Sequence, residues 1–333
     1  NNEPADYSTT NVPLKPKHFL PINIQGIKKG DFSMILGYPG RTNRWMPAEG
    51  IEQNVKYAYP AWVEGSRLGM DVMKKHMDQK DDVRLAYASK YASVANYWKN
   101  RQGMIDALTE QKTADSKREE EAKFNKWANK KKNKQEFGEV ISHINAYYAA
   151  TNEKARHDNY LMTILRTSNL ATLPYSFGSA LIQYANENDA KKAEMRPRLE
   201  EAIKEAYKGF YGPLEKEMLA SQLQLYATKS SGYAIAPYVK DLGAKTNNNF
   251  TSIVNKAFEG SIFSDEKVLL KYLDHPDASL ITEDELFKIS TDLLKKYREQ
   301  PEELQSLKEN YEKSYRLLVD GLRKANPKKK YYP

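Results

Sequence analysis

Residues 81–132, DDVRLAYASKYASVANYWKNRQGMIDALTEQKTADSKREEEAKFNKWANKKK, keep a helical pattern without interruption. One helix of about 50 residues, or two in line, would reach ~75 Å at 1.5 Å per residue. Rods of that length pack as antiparallel pairs or coiled coils. The surrounding chain must therefore supply partners, and its texture does so. VEGSRLGMDVMKKHMDQK predicts a first helix from about residue 64 onward. Phe137, Val140, Ile141, Ile144, Tyr147, Tyr148, Tyr160, Leu161 and Ile164 continue helical spacing. Later starts are marked by Pro213 with Glu215 and Glu217, and by a capping box of Thr282 with Glu285. Pro301-Glu302-Glu303 opens a stripe of Leu304, Leu307, Tyr311, Tyr315, Leu318 and Leu322. No internal repeat of fixed period is present.

The first fifty residues differ. Pro13, Pro16 and Pro21 exclude a helix through VPLKPKHFLPINIQG. PINIQGIKKGDFSMILGYPG reads as strand, turn, strand. In it Ile22 and Ile24 alternate, Gly26 and Gly30 punctuate, and Phe32 to Leu36 form a short apolar run. Tyr38-Pro39-Gly40-Arg41 suits a type II turn, with proline presetting the first central residue and glycine the second. The closing NPKKKYYP reads as an extended stub. The expected division is a β segment over 1–50, a helical domain over 51–325 and a return segment over 326–333. The expected fold class is mainly α, with long antiparallel helices inserted into a β domain.

Composition narrows the function. The 333 residues allow two domains and a sizeable core. Hydrophobic residues reach only 40%, and 23 tyrosines fill the gap, since each buries a ring and keeps a polar tip. The absence of cysteine excludes disulfides, thiol catalysis and thiolate metal sites. No apolar run approaches the ~20 residues needed to span a bilayer. NNEPADYSTT has neither the basic start nor the apolar stretch of a signal peptide, so the chain is expected to begin after processing or to be cut from something longer. The net charge of +8 comes from two short runs, Lys126, Lys130, Lys131, Lys132 and Lys134, and Lys328, Lys329 and Lys330. Both sit where helices should end and where cations are favoured. With no recognition motif beside them, nucleic acid is not expected as a partner.

Candidate chemistry is sparse. His18, His76, His143, His157 and His275 form no His-x-x-x-His pair, and His143 and His157 would stand ~21 Å apart along a helix. They read as isolated surface or capping residues, and no metal or other cofactor is expected. EGSRLG and YSFGSAL contain Gly-Ser pairs but no partner base, and no nucleophile elbow or phosphate loop occurs. The acids at 119–121 and 282–285 read as solvated faces or caps, and Asp31 as a turn aspartate. Asn96 is different. Tyr91, Ala95 and Trp98 share one helical face, while Asn96 lies about 100° away with Ala92 and Asn100. Its side-chain carbonyl can accept from an ammonium group. It can equally be an exposed or network asparagine.

The run LPINIQGIKKGDFSMILGYPG resembles the bridge between the two barrels of chymotrypsin-fold serine peptidases. Together with GYPGRTNRW and YASVANYWKN it resembles family forty-six of the serine peptidases, the bacterial dipeptidyl-peptidases, over essentially the whole chain. The resemblance implies a large helical domain inserted into a chymotrypsin-like double β-barrel, and removal of dipeptides from oligopeptide N-termini by a Ser-His-Asp triad. The His and Asp are expected before Asn1, and a Gly-Asn-Ser-Gly-Ser-Pro motif after Pro333, so no catalytic residue is expected here and this chain alone should be inactive. It further implies that Asn96 helps bind the substrate α-amino group, that the parent is a homodimer, and that it is periplasmic or at the cell surface. A free-standing helical module that binds peptides or a partner protein without chemistry remains the alternative, and a basic nucleic-acid binder a more distant one.

Overall fold

A computed structural model of the chain describes residues 8–37, 40, 42–230 and 232–329. The chain divides into two units, Asn1–Arg44 and Trp45–Pro333.

In the first unit, residues 8–37 contain neither helix nor strand. The expected strands are therefore not formed. Ile22, Ile24, Phe32, Ile35 and Leu36 are each at least 85% exposed. A strand needs a second strand to take its N–H and C=O groups, and none exists among the described residues. The punctuation is as expected: Gly26 and Gly30 have φ of +72° and +104°. Asp31 closes a turn by accepting from the Lys28 N–H at 2.8 Å. The type II turn expected over 38–41 involves Tyr38, Pro39 and Arg41, which lie outside the described residues, as do residues 330–333 of the closing stub.

The second unit is helical. Helix α1, Ala48–Gln53, continues through one π turn, Asn54–Ala58, into α2, Tyr59–Met77. Helical structure thus begins well before residue 64. The start of α1 is capped at a distance, because the buried Glu121 Oε1 accepts from the Ala48 N–H at 2.7 Å. The long helical pattern is two helices, α3, Asp81–Glu110, and α4, Thr113–Ala128. They part at Lys112, whose φ of +50° is left-handed. A short α5, Lys134–Phe137, leads to α6, Val140–Thr167. Then come α7, Leu173–Asn186, α8, Asp189–Ala206, α9, Gly212–Lys229, and α10, Pro237–Lys245. The chain continues as α11, Phe250–Glu259, α12, Glu266–Tyr272, and α13, Ala278–Thr282. It closes with α14, Glu285–Arg298, and α15, Gln305–Ala325. The cap of α14 is Asp284, which accepts from the Phe287 N–H at 3.1 Å; Thr282 instead ends α13. The three-residue link after α2 makes α2 and α3 an antiparallel pair.

Helix α6 is the spine. Its first half, with Val140, Ile144 and Tyr148, packs with Phe124, Phe137, Leu318 and Leu322 in one core. Here the predicted stripe of α15 is seated, with Tyr311 stacked on Tyr147 at 4.3 Å and bonded to the Tyr148 hydroxyl at 3.0 Å. Its second half, with Tyr160, Leu161 and Ile164, enters the central core with α9, α11 and α14. Helix α2 crosses this half closely. A Cβ on Gly65 would overlap the Thr163 side chain, and one on Gly69 would sit 2.8 Å from Thr167 Cγ2.

Overpacking costs about 1–3 kcal/mol, so Gly65→Ala should lower unfolding free energy by that amount in urea titrations. Gly103, within α3, has nothing within 4 Å of an added Cβ, and Gly103→Ala should raise stability by ~0.5–1 kcal/mol.

Burial pushes the Glu121 carboxyl above its ordinary 4.5, opposed by the Ala48 N–H. The folded chain then holds this proton longer than the unfolded chain does. The stabilisation is full below the unfolded value and is lost as pH rises through the folded one. Compared with Glu121→Gln, the wild type should lose relative stability as pH rises above the ordinary carboxylate value of 4.5, as read by denaturant midpoints.

Candidate functional site

The close α2–α6 crossing, with α3 laid beside it, borders a cavity of about 410 Å³ that is open to solvent where Ser89, Ser93, Tyr97 and Arg166 are exposed. Trp62 and Ser66 come from α2, Thr163, Arg166 and Thr167 from α6, and Ser89, Lys90, Ser93 and Tyr97 from α3. No Asp or Glu lines it. Its helix spacings are regular: Trp62 and Ser66 are one turn apart, as are Ser89 and Ser93.

One wall rests on a buried charge. Glu215 near the start of α9 is fully buried. It accepts from the Tyr87 hydroxyl at 2.9 Å and from the Asn169 N–H at 2.7 Å, and lies 3.9 Å from the Lys90 ammonium. Lys90 also donates to Asn169 Oδ1 at 2.9 Å. Burial pushes the Glu215 carboxyl up and the Lys90 ammonium down, and their mutual attraction opposes both shifts. The opposite wall is aromatic. The Arg166 guanidinium lies over the Tyr97 ring at 4.6 Å and the Trp62 ring at 5.5 Å, and Arg101 lies over Trp62 at 5.6 Å. The buried Trp62 Nε1 has no hydrogen-bond partner.

Asn96 stands on α3 three residues beyond Ser93 and is exposed. It is not one of the cavity's lining residues. Tyr91, Ala95 and Trp98 pack into the core between α2, α3 and α9, as their spacing predicts. Asn96, Ala92 and Asn100 remain on the open face.

The histidines are not all peripheral. His157 is buried, with Nε2 at 2.7 Å from the Tyr226 hydroxyl and Nδ1 at 3.0 Å from Asp158 Oδ1. Tyr226 also accepts from the Ala236 N–H at 2.9 Å, so this histidine ties α6 to α9 and to the start of α10. His76 pairs with Glu217 and His143 with Ser314. Among the described residues no three metal-ligating side chains converge, and no helix is long and apolar enough to cross a membrane. Lys90, Arg166, Trp62 and Glu215 are the residues that sequence reasoning missed. Glu215 was visible only as an acid at a helix start.

The second unit is thus all helical among the described residues, with a cavity between three of its long helices. The chain matches Peptidase S46 over residues 1–333, and it belongs to that family. It is 40% identical over 334 residues to dipeptidyl-peptidase 7 of Capnocytophaga gingivalis, a match that covers all of this chain and 46% of that protein. It is 30% identical over 273 residues to an Asp/Glu-specific dipeptidyl-peptidase of the same organism, covering 81% of this chain and 38% of the relative. The chain thus spans about half the length, or less, of the curated relatives it matches. Its fold matches a crystal structure of Porphyromonas endodontalis DPP11 in complex with the dipeptide Arg-Glu, with a TM-score of 0.74 at 20% identity, over 96% of this chain and 46% of that one. Against the same protein in an alternate conformation the TM-score is 0.54, at 18% identity over 98% of this chain.

Removing one partner of a buried pair costs about 3–5 kcal/mol. Glu215→Ala should destabilise the chain by that amount in denaturant titrations. Tyr87→Phe, which removes one of its donors, should cost ~1 kcal/mol.

Proposed function

We propose that this chain is the helical substrate-gating domain of a serine exopeptidase that removes dipeptides from the N-termini of oligopeptides. The observation that carries the reading is the family match along all 333 residues, to relatives named dipeptidyl-peptidases of roughly twice the length. On this reading the first unit belongs to a chymotrypsin-like double barrel, whose remaining strands would cover Ile22, Ile24 and Phe32 to Leu36. The Ser, His and Asp of the triad belong to segments outside this chain. In such a triad His takes the Ser proton, Asp orients His, and backbone amides hold the oxyanion.

Asn96 is assigned to the substrate α-amino group. Its amide is exposed and makes no hydrogen bond among the described residues, so its carbonyl is available to an incoming ammonium. Recognition of a charged amine two residues from the cut sets dipeptide length, because an internal segment has no such charge. The DPP11 relative is recorded in an alternate conformation that matches this chain less well; on the proposed reading the helical domain closes over a cleft.

A hydrogen bond to a charged group contributes about 1.5–3 kcal/mol, so Asn96→Ala in the intact parent should lower kcat/KM on dipeptidyl substrates roughly ten- to a hundredfold. Its circular dichroism and melting temperature should match wild type. An unchanged kcat/KM would sink the amine-binding role.

A further inference from the structure

We propose that one end of the helical unit, where the turn between α4 and α5 meets the end of α15, binds the surface of a bilayer rich in anionic lipid headgroups. Its residues are shared with neither the cavity nor Asn96, and the inference does not rest on the peptidase reading.

Packing brings two distant lysine runs together. Helices α4, α5 and α15 share one core, in which Phe124, Phe137 and Leu322 are buried. Lys324 reaches from α15 to Glu136 at 3.7 Å and lies over the Phe137 ring at 5.1 Å, and Lys329 reaches Glu120 at 3.2 Å. Glu120 also holds Lys117 at 3.1 Å, and Asp320 holds Lys324 at 2.8 Å, so these acids are already taken. Segments 122–135 and 321–329 contain no acid at all. Lys126, Lys130, Lys131, Lys132, Lys134 and Lys328 are exposed and stand in no ion pair among the described residues. The two runs carry the whole net charge of +8, so the excess is not spread over the surface.

Helix capping accounts for Lys126 and Lys324, which lie in the last turns of α4 and α15. It does not account for Lys130, Lys131 and Lys132, which lie beyond the end of α4, or for Lys134, which opens α5 where a cation is disfavoured. The turn that carries them is fixed. The buried Asn133 donates its side chain to the Trp127 carbonyl and its N–H to the Lys130 carbonyl, both at 2.8 Å. The chemistry favours lipid over nucleic acid. Save for Arg323, the free charges are lysines, compact point charges that attract phosphate without the fork that reads its geometry. The aromatic rings face inward: Phe124 and Phe137 are buried, and Trp127 packs on them at 5.9 and 5.0 Å, so no stacking platform for bases is offered. Lys130 to Lys132 lie in a turn, not on a helix that could enter a groove. A plane of headgroup charge needs neither device, and it orients a neutral body that has one cationic end. Clusters of about four to eight such cations are what anionic membrane surfaces attract.

The test is cosedimentation of the full-length parent with vesicles of equal parts phosphatidylglycerol and phosphatidylcholine, and with pure phosphatidylcholine as the neutral surface. The parent should bind the anionic vesicles alone. It should leave them as salt rises from about 0.01 M to about 1 M, which shortens the screening length from ~30 Å to ~3 Å. Each lysine near an anionic surface is worth about fivefold in partitioning, so Lys130→Gln, Lys131→Gln and Lys132→Gln together should weaken it about a hundredfold. A matched triple, Lys240→Gln, Lys245→Gln and Lys267→Gln, removes the same charge from exposed lysines elsewhere and should change it little. Both triples should keep the parent's kcat/KM on a soluble dipeptidyl substrate. Equal losses in the two triples would assign the binding to net charge and overturn the patch. No binding to the anionic vesicles at low salt would overturn the proposal outright. Displacement by duplex DNA at a phosphate concentration well below that of the lipid would overturn the lipid assignment in favour of nucleic acid.

Discussion

The contact on which the rest of the second unit depends is the crossing of α2 over the second half of α6. Gly65 and Gly69 are one turn apart on α2, and their missing side chains admit Thr163 and Thr167. Residues adjacent to this glycine pair face the same groove. Trp62 and Ser66 on one helix stand against Thr163, Arg166 and Thr167 on the other. A wider crossing would separate these walls. The sequence EGSRLG, which offers no catalytic base, thus has a packing role: its glycines set an interhelical distance. Gln222 of α9 strengthens the arrangement by donating to the Gly65 carbonyl at 2.9 Å.

Helices packed this closely bring polar groups inside, and the tyrosines answer much of that demand. Tyr87 bridges Glu215 and the Tyr211 N–H; Tyr184 and Tyr207 donate to the carbonyls of Leu273 and Phe263; Tyr226 joins His157 to Ala236. Each ring contributes apolar area to a core while its hydroxyl closes a loop or helix end. This is the physical use of a composition low in aliphatic residues and rich in tyrosine. The buried Glu215 belongs to the same economy, since its carboxylate has three partners from two separate segments, α3 and the link after α6.

What the sequence could reveal follows from the range of the interaction. The stripe of α15 and the core face of α3 were legible because helical periodicity is local. The division at Lys112 was not, because nothing but a left-handed φ marks it. The cap of α14 moved from Thr282 to Asp284 because two capping residues compete within one short stretch, and Asp284 also accepts from the Ile262 N–H at 2.9 Å. The N-terminal strands failed for the opposite reason. Alternation marks a strand, but only a partner makes one, and Ile22 and Ile24 find none among the described residues. His157 and the cavity were illegible because their partners are distant in sequence. Arg166 meets Trp62 and Tyr97, and Lys90 meets Glu215, only after the helices pack.

The exposure of Asn96 bears on how the proposed amine recognition works. An amide in water already has hydrogen-bond partners, so on an open helix face exchanging them for an ammonium gains no more than the low end of the range for a charged partner, about 1.5 kcal/mol. The same contact gains weight when water is excluded, because a missing partner then costs the full desolvation of the group. Selectivity for a free N-terminus therefore cannot reside in α3 alone. It requires a second surface that covers Asn96 once the peptide is in place. A domain that carries the acceptor on an open helix face, beside a preformed cavity, is suited to this division. On the proposed reading the helices would fix where the amine goes, and closure would supply the dry surroundings that make the choice strict. On that logic, changes that hinder closure should weaken discrimination against blocked N-termini more than they weaken binding itself.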